Sequence, residues 1–191
     1  MALTIGVPLA RDHAAAIEVI FRRLRARTDW TALAHPSPHL TLLVLLEAPP
    51  LDTVDDIIRK VAGRTLVFPA RARGYGVFAD EHEQLVLYTP VVRSGALTNL
   101  HRSLFQAFDD IGAYVDGHYH PDAWLPHITL CNRHLTPEIL GELVAAMATA
   151  RAISWRLNLD RVARFGPGVE TSTFPLRALQ ARADHAGGNA Q

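Results

Sequence analysis

The sequence contains one five-residue pattern twice, and this repeat is the strongest constraint on how the chain can fold. The first copy runs from Pro38 to Leu42 (PHLTL) and the second from Pro126 to Leu130 (PHITL). Each copy follows a proline-bearing loop, has the composition of a β-strand and precedes an amphipathic helical segment. Two similar units in one chain indicate an internal duplication, with one unit in each half.

Strand geometry gives the repeat its chemical meaning. Side chains two residues apart on a strand point to the same face. His39 and Thr41 therefore share a face, as do His127 and Thr129, while the residues between them point into a core. If a pseudo-twofold axis relates the two halves, both imidazoles and both hydroxyls line one cleft.

The shorter pattern His-x-Ser/Thr is not specific, because the chain contains it five times. The other three copies begin at His35, His101 and His134. They fall in a proline-broken loop, on a predicted helix and just before a helix cap, respectively. Only the copies at His39 and His127 combine a preceding proline, a strand context and similarity to each other.

The remaining periodicities alternate between strands and helices. Helical spacing of apolar residues predicts four helices, which begin near Asp12, Asp52, Leu97 and Thr136. Apolar runs predict strands at 3–7, 39–46, 65–72, 76–78, 84–89 and 126–131, with three closing strands between 153 and 179. We therefore expect an α+β fold with mainly antiparallel sheets.

Composition excludes several classes of protein. The 19 basic and 19 acidic residues give zero formal net charge, which argues against a broadly basic protein that grips a long polyanion. Recognition of a single phosphate is compatible with this balance. The one cysteine, Cys131, cannot form a disulfide within the chain and indicates a cytoplasmic location. No apolar run reaches the length of a membrane span, so no membrane association is expected.

The repeated pattern resembles the 2H phosphoesterase superfamily, which is named for two His-x-Ser/Thr motifs. Within it, the resemblance is to the branch of 2′-5′ RNA ligases and RNA 2′,3′-cyclic phosphodiesterases. The separation of 88 residues between His39 and His127 and the total length of 191 agree with that branch. The resemblance implies a bilobal α+β fold with two pseudo-symmetric antiparallel sheets, flanking helices and a central cleft. Residues 1–180 are then expected to form one domain of two intertwined lobes, and residues 181–191 a disordered tail.

The resemblance also implies an activity. The chain is expected to be a hydrolase that opens 2′,3′-cyclic phosphates of RNA ends or nucleotides without a metal or other cofactor, with weak 2′-5′ RNA ligation as a side reaction. His39 and His127 would be the general acid and base, in an order that the sequence leaves open, and Thr41 and Thr129 would bind phosphate. The chemistry is coherent, because ring opening needs one proton removed from water and one delivered to the leaving alkoxide.

Three further residues are candidate substrate contacts. Arg133 follows the second motif, where members of this branch carry a basic residue, at an offset that is shifted by one. Tyr119 and Trp124 lie in the predicted loop 112–126, where an aromatic ring can stack on a base. The expected partner is an RNA terminus or a small nucleotide phosphodiester, with no obligate protein partner.

Two alternatives stay open at the level of sequence. The same site could act on another cyclic or 2′-5′-linked nucleotide phosphodiester, or the chain could be an RNA- or nucleotide-binding module without turnover. A zinc site at His118 and His120 is disfavoured, because no cysteine or carboxylate lies at a convincing spacing from them.

Overall fold

The computed structural model describes residues 2–25, 38–79, 84–131, 135–148 and 153–178, so the predicted tail 181–191 lies outside the described residues. The described residues form ten strands, four α-helices and one 3-10 turn at Gly117–Tyr119. The helices are α1 (Arg11–Arg25), α2 (Leu51–Arg64), α3 (Gly95–Asp109) and α4 (Pro137–Ala148). The strands are β1 (Leu3–Pro8), β2 (His39–Glu47), β3 (Phe68–Arg73), β4 (Gly76–Ala79), β5 (Leu85–Pro90), β6 (Tyr114–Val115), β7 (His127–Cys131), β8 (Ser154–Leu159), β9 (Arg161–Gly166) and β10 (Val169–Pro175).

The strands form two antiparallel sheets, which confirms the predicted α+β class. The large sheet has eight strands in the order β10-β9-β1-β2-β7-β5-β4, with β6 paired to β2, and the small sheet contains β3 and β8. The two motif strands, β2 and β7, are neighbours near the middle of the large sheet and pair at Leu40 and Ile128. The strands of the two halves of the chain therefore meet edge to edge at the two motifs.

The two halves of the chain exchange strands. β1 and β2 from the first half are extended by β9 and β10 from the second, while β7 from the second half is extended by β5 and β4 from the first. The strands β3 and β8, which precede β4 and β9, pair with each other. Each motif strand consequently lies in a sheet segment that needs residues from both halves.

Amphipathic helices cover the large sheet. In α3 the buried residues Leu97, Leu100, Leu104 and Phe108 recur every three or four positions, as a helix with one apolar face requires. The Ser94 hydroxyl accepts a hydrogen bond from the Leu97 amide at 3.3 Å and caps the start of this helix. The helix thereby presents a continuous apolar face to the sheet.

An ion pair joins helix α2 to the sheet. The Arg164 guanidinium on β9 donates two hydrogen bonds to the Asp55 carboxylate on α2 and a third to the Glu170 carbonyl. Arg164 is only 7% exposed, and these three hydrogen bonds satisfy a charge that would otherwise be costly to bury. The pair fixes α2 against the β9–β10 hairpin.

The structure refines some predicted boundaries. The predicted loop 112–126 contains strand β6 and the 3-10 turn, because Val115 pairs with Leu45 and the Asp116 carboxylate accepts a hydrogen bond from the His118 amide. The predicted strand 65–72 begins only at Phe68, because Thr65 still takes part in ending helix α2. The Thr136 hydroxyl accepts from the Ile139 amide at 3.3 Å, as expected for a helix cap. None of the described helices is both long and apolar enough to cross a membrane.

Candidate active site

The register of the two motif strands brings all four motif side chains onto one face of the sheet. Leu40 and Ile128 are opposite each other in an antiparallel pair and are buried. Continuing this register by one residue places His39 across from Thr129, and Thr41 across from His127. All four are partly exposed, whereas the residues between them are buried. The two histidines are then diagonal neighbours on adjacent strands, roughly 7–8 Å apart with their β-carbons somewhat closer, a separation that can bracket a phosphate group.

Each catalytic candidate begins its strand beside a proline. His39 is the cross-strand partner of Pro8, and His127 is the cross-strand partner of Pro90. Leu9 and Val91, which follow these two prolines, donate their amides to the carbonyls of the prolines that precede the two histidines. The two bonds are Leu9 N to Pro38 O at 3.2 Å and Val91 N to Pro126 O at 2.9 Å. The repeat therefore extends to the backbone pairing around each histidine.

The His127 imidazole is fixed in one tautomer. Its Nδ1 lies 2.7 Å from the Leu125 carbonyl oxygen, and a carbonyl can only accept, so Nδ1 carries the proton. Nε2 is then the ring nitrogen that can accept a proton. Burial lowers the pKa of His127 below its ordinary value, and the hydrogen bond to Leu125 opposes part of that shift. A neutral imidazole at neutral pH is the form that can accept a proton.

Two aromatic rings hold His127 from the side. The rings of Phe78 and Tyr88 contact the imidazole edge to face, with centroids at 5.2 Å and 5.3 Å. Tyr88 in turn lies over Gly76, where a β-carbon would clash with the phenol ring. A side chain at position 76 would therefore displace the Tyr88 ring from its place beside His127. No sequence pattern indicates this cluster, because its residues come from three different strands.

The His39 imidazole stacks on another aromatic ring. The Phe165 ring on β9 lies 4.8 Å from it, with an angle of 27° between the ring planes. On the neighbouring strand, a β-carbon at Gly6 would lie 2.6 Å from the Leu40 carbonyl oxygen and 3.3 Å from His39 Cδ2. A glycine here lets β1 approach the motif strand closely, next to the register shift between Ile5 and Gly6.

Thr41 is held by two aromatic residues of the 112–126 segment. Tyr119 shares a side-chain hydrogen bond with Thr41, and Trp124 donates its Nε1 proton to the Thr41 carbonyl at 3.2 Å. Burial, with a smaller contribution from the Asp116 carboxylate, raises the pKa of Tyr119 to about 12, so its phenol stays protonated. The hydroxyl and the carbonyl of Thr41 are thus both positioned by residues that follow α3.

Trp124 lines a cleft beside the second motif, and most of its side chain is packed against other residues of the protein. Its side chain is 3% exposed, and the His101 imidazole stacks on it at 3.9 Å with an angle of 5° between the planes. The Arg93 guanidinium donates to the carbonyls of Pro121 and Trp124 and lies over the indole. The indole holds the Thr41 carbonyl through its Nε1 proton, and Trp124 stays a predicted substrate contact at the edge of the second motif.

His101 links helix α3 to the same segment. The side chain is fully buried, and its Nε2 lies 3.1 Å from the Tyr119 carbonyl oxygen. Burial, opposed by that hydrogen bond, lowers the pKa of His101 to about 4. The imidazole is therefore neutral at physiological pH and acts as a packed hydrogen-bond donor.

A cleft of about 470 Å³ opens beside the second motif, and we call it the His127 cleft. His127, Thr129 and Tyr119 line it together with the apolar side chains of Phe78, Val86 and Leu125. Its volume lies within the range typical of small-molecule sites. His39 and Thr41 are not among the described residues that line this cleft, although they share its face of the sheet.

Two expectations from the sequence concern a basic side chain, Arg133, and a metal site. Arg133 lies outside the described residues. Within the part of the chain that the structure describes, no group of three or more His, Cys, Asp or Glu residues is arranged to hold a metal ion.

Comparisons with known proteins bear on the family and the fold. The family model of the 2′-5′ RNA ligase superfamily matches residues 11–165. A search of curated proteins finds no match. Among solved structures, the protein TT0787 of Thermus thermophilus has a TM-score of 0.66 at 20% identity, over 93% of this chain and 99% of that chain.

Two further structures share the fold at lower similarity. E. coli LigT complexed with 3′-AMP has a TM-score of 0.52 at 18% identity, over 92% of this chain and 94% of its own. Kluyveromyces marxianus Usb1 has a TM-score of 0.53 at 12% identity, over 92% and 98%. The family match covers both motifs and most of the chain, and we conclude that the chain belongs to the 2′-5′ RNA ligase superfamily of 2H phosphoesterases, which act on phosphodiester bonds.

Proposed function

We propose that this protein is a phosphodiesterase that opens 2′,3′-cyclic phosphates of RNA ends or nucleotides by two-histidine acid–base catalysis. The observation that carries the proposal is the pairing of Leu40 with Ile128, which puts both His-x-Thr pairs on one face of one sheet. A register shifted by one residue in either direction would put the two His-x-Thr pairs on opposite faces of the sheet.

The reaction balances with the groups present. One imidazole removes a proton from water as its oxygen attacks phosphorus. The bond between phosphorus and the ribose 3′-oxygen breaks, and the other imidazole protonates that oxygen, which leaves a 2′-phosphate. Each proton transfer contributes roughly 10²- to 10⁴-fold in rate. The strained ring supplies part of the driving force, so the proposed step needs no metal ion.

The hydroxyls of Thr41 and Thr129 are assigned to the phosphate oxygens. They donate hydrogen bonds where negative charge develops as the fifth bond to phosphorus forms. Tyr119 and Trp124 hold Thr41 by its hydroxyl and its carbonyl, and Tyr88 is the cross-strand partner of Thr129. Donors that are fixed before the reaction do not have to reorganise during it.

The same groups can run a weak ligation. A 5′-hydroxyl takes the place of water, attacks phosphorus and yields a 2′-5′ linkage when the 3′-oxygen leaves. Water is in large excess over any 5′-hydroxyl, so we expect hydrolysis to dominate. The E. coli relative was crystallised with 3′-AMP, which supports a nucleotide as the ligand class.

The deciding experiment is hydrolysis of a 2′,3′-cyclic nucleotide and of an RNA oligonucleotide with a 2′,3′-cyclic end, both in the presence of EDTA. We expect a 2′-phosphate product, full activity with EDTA, and a loss of at least about 10²-fold in kcat for His39→Ala and for His127→Ala. Activity that survives either substitution contradicts the mechanism. Phosphate-dependent binding of RNA ends without any product would instead identify a binding module.

A further inference from the structure

The lining of the His127 cleft includes a paired carboxylate and imidazole. Asp116 and His118 both line the cleft. The Asp116 Oδ1 atom accepts hydrogen bonds from the His118 amide and from His118 Nδ1, each at 2.9 Å. The side chain of Asp116 is 23% exposed and that of His118 is 72% exposed. The carboxylate thus fixes an accessible imidazole at the edge of the cleft.

This pair is anchored to the first motif strand rather than to a free loop. The Asp116 amide donates to the Val44 carbonyl on β2 at 2.9 Å, and the Tyr119 amide donates to the Asp116 carbonyl at 2.9 Å. Tyr119 is itself bonded to Thr41. The position of the pair relative to the motif residues is therefore set by direct hydrogen bonds.

The chemistry of the pair favours a neutral donor as its ligand. Because Nδ1 donates to Asp116, the neutral imidazole of His118 presents Nε2 as an acceptor, and the carboxylate offers acceptors only. None of the described residues that line the cleft is an arginine or a lysine. When the imidazole is neutral, a hydroxyl or amino group can donate to these acceptors, whereas a second phosphate would meet the Asp116 carboxylate with no arginine or lysine among the described lining residues.

We propose that Asp116 and His118 are specificity-determining residues that accept a hydrogen bond from an uncharged hydroxyl or amino group of the substrate and discriminate against a second phosphate in the His127 cleft. This inference rests on the proposed function and narrows its substrate class. The substrate is a cyclic phosphate whose nucleoside carries an unphosphorylated 5′-hydroxyl or a base amino group beside Asp116 and His118.

The test compares a nucleoside 2′,3′-cyclic phosphate that has a free 5′-hydroxyl with the same compound carrying a 5′-phosphate, at pH 8 and low salt. We expect kcat/KM to favour the free hydroxyl by about tenfold, since a carboxylate near a phosphate repels it at low ionic strength. Asp116→Asn keeps an oxygen that caps the turn but removes the charge, and should reduce this preference by about fivefold. Asp122→Asn is the matched control, because Asp122 is 85% exposed on the same segment and does not line the cleft.

His118 is tested separately. His118→Ala should raise KM for the free-hydroxyl substrate about threefold and leave kcat within about twofold, as expected when one ground-state hydrogen bond is lost. His120→Ala, on the same segment but outside the cleft, should change neither constant. An unchanged preference in Asp116→Asn, or an equal change in Asp122→Asn, overturns the inference.

A binding measurement separates this inference from the proposed function. The product pair, a nucleoside 2′-phosphate with and without a 5′-phosphate, is titrated by calorimetry against wild type and Asp116→Asn. Tighter binding of the free-hydroxyl product, relaxed in Asp116→Asn, supports the cleft assignment even if neither cyclic compound is hydrolysed. Turnover of both compounds at equal rates, with equal product affinities, contradicts the role of Asp116 and His118 but is compatible with the phosphodiesterase proposal.

Discussion

At the scale of single residues, the rings around His127 explain how the first residue of a strand can be held in one orientation. Tyr88 contacts the imidazole with its ring and sits over Gly76, and it contributes to the burial that lowers the pKa of His127. We expect Tyr88→Ala to lower kcat about tenfold, because a misplaced catalytic group is costly. Tyr88→Phe keeps the ring and should retain nearly full activity.

The pH–rate profile distinguishes the loss of the Tyr88 ring from a general loss of stability. Burial favours the neutral imidazole, so removal of the ring admits water and raises the pKa of His127 toward its ordinary value. Whichever limb of the profile His127 controls should move to higher pH in Tyr88→Ala and stay in place in Tyr88→Phe. A profile that keeps its limbs in Tyr88→Ala would exclude this role for the ring.

His101 makes the free energy of unfolding depend on pH in the acidic range. Its folded pKa of about 4 lies below the ordinary value of 6.5 for an unfolded histidine, so the unfolded chain binds the extra proton between those two values. The stability contribution is complete above pH 6.5 and is lost as the pH falls to about 4, by at most about 3 kcal/mol. We expect the urea midpoint to fall across this window in wild type.

The control for that titration is His101→Gln. The glutamine amide can still donate to the Tyr119 carbonyl but does not titrate. The decline between pH 6.5 and about 4 should therefore be shallower in His101→Gln, with a remainder from other groups that include His127. Parallel curves for the two proteins would show that His101 does not carry this acid sensitivity.

At the scale of elements, the segment after α3 acts as a brace for the first motif strand. Tyr119→Phe removes the hydroxyl that is bonded to Thr41. A lost hydrogen bond of about 1 kcal/mol corresponds to a fall of about fivefold in kcat/KM. Tyr114→Phe on β6 is the matched control, because its side chain is 64% exposed, and it should leave kcat/KM unchanged. Equal effects of the two substitutions would remove Tyr119 from the positioning of Thr41.

The same segment shows what can and cannot be predicted from the sequence. The alternation of His39 and Thr41 with buried leucines is a local property of one strand, and it can be read from spacing alone. The position of Trp124 cannot, because it depends on contacts with His101, Arg93 and Thr41, which are distant in the chain. The need for glycine at positions 6 and 76 is hidden for the same reason, since the atoms that exclude a side chain there belong to other strands.

At the scale of the whole molecule, strand exchange couples the two motifs. The β1–β2 segment is completed by β9 and β10, and β7 is completed by β5 and β4, so neither half completes its own sheet. We expect one cooperative unfolding transition by calorimetry. Ile5→Ala on β1 and Leu87→Ala on β5 each remove a buried side chain and should lower the unfolding free energy by about 2–5 kcal/mol. Both should shift the single transition, and a second transition in either variant would show that the halves unfold independently.

The charge balance of the molecule predicts how activity responds to substrate length and salt. The formal net charge is zero, and no described residue of the His127 cleft is an arginine or a lysine. Each phosphate that a protein neutralises adds about one unit to the slope of affinity against salt on logarithmic axes. We expect kcat/KM for a cyclic-ended oligonucleotide to lie within about threefold of that for the mononucleotide, with a salt slope of about one or less in magnitude.

The exposed arginines of β3, Arg71 and Arg73, provide the contrast for this last prediction. They belong to a stretch of the chain that is rich in basic residues without a balancing acid, from Arg59 to Arg73. If the substrate is short, the double substitution Arg71→Ala with Arg73→Ala should leave kcat/KM for both substrates unchanged, and the salt slope as well. A longer RNA that is preferred by wild type, with a steep salt slope that falls by about two units in the double variant, would show instead that β3 guides a polyanion toward the motifs.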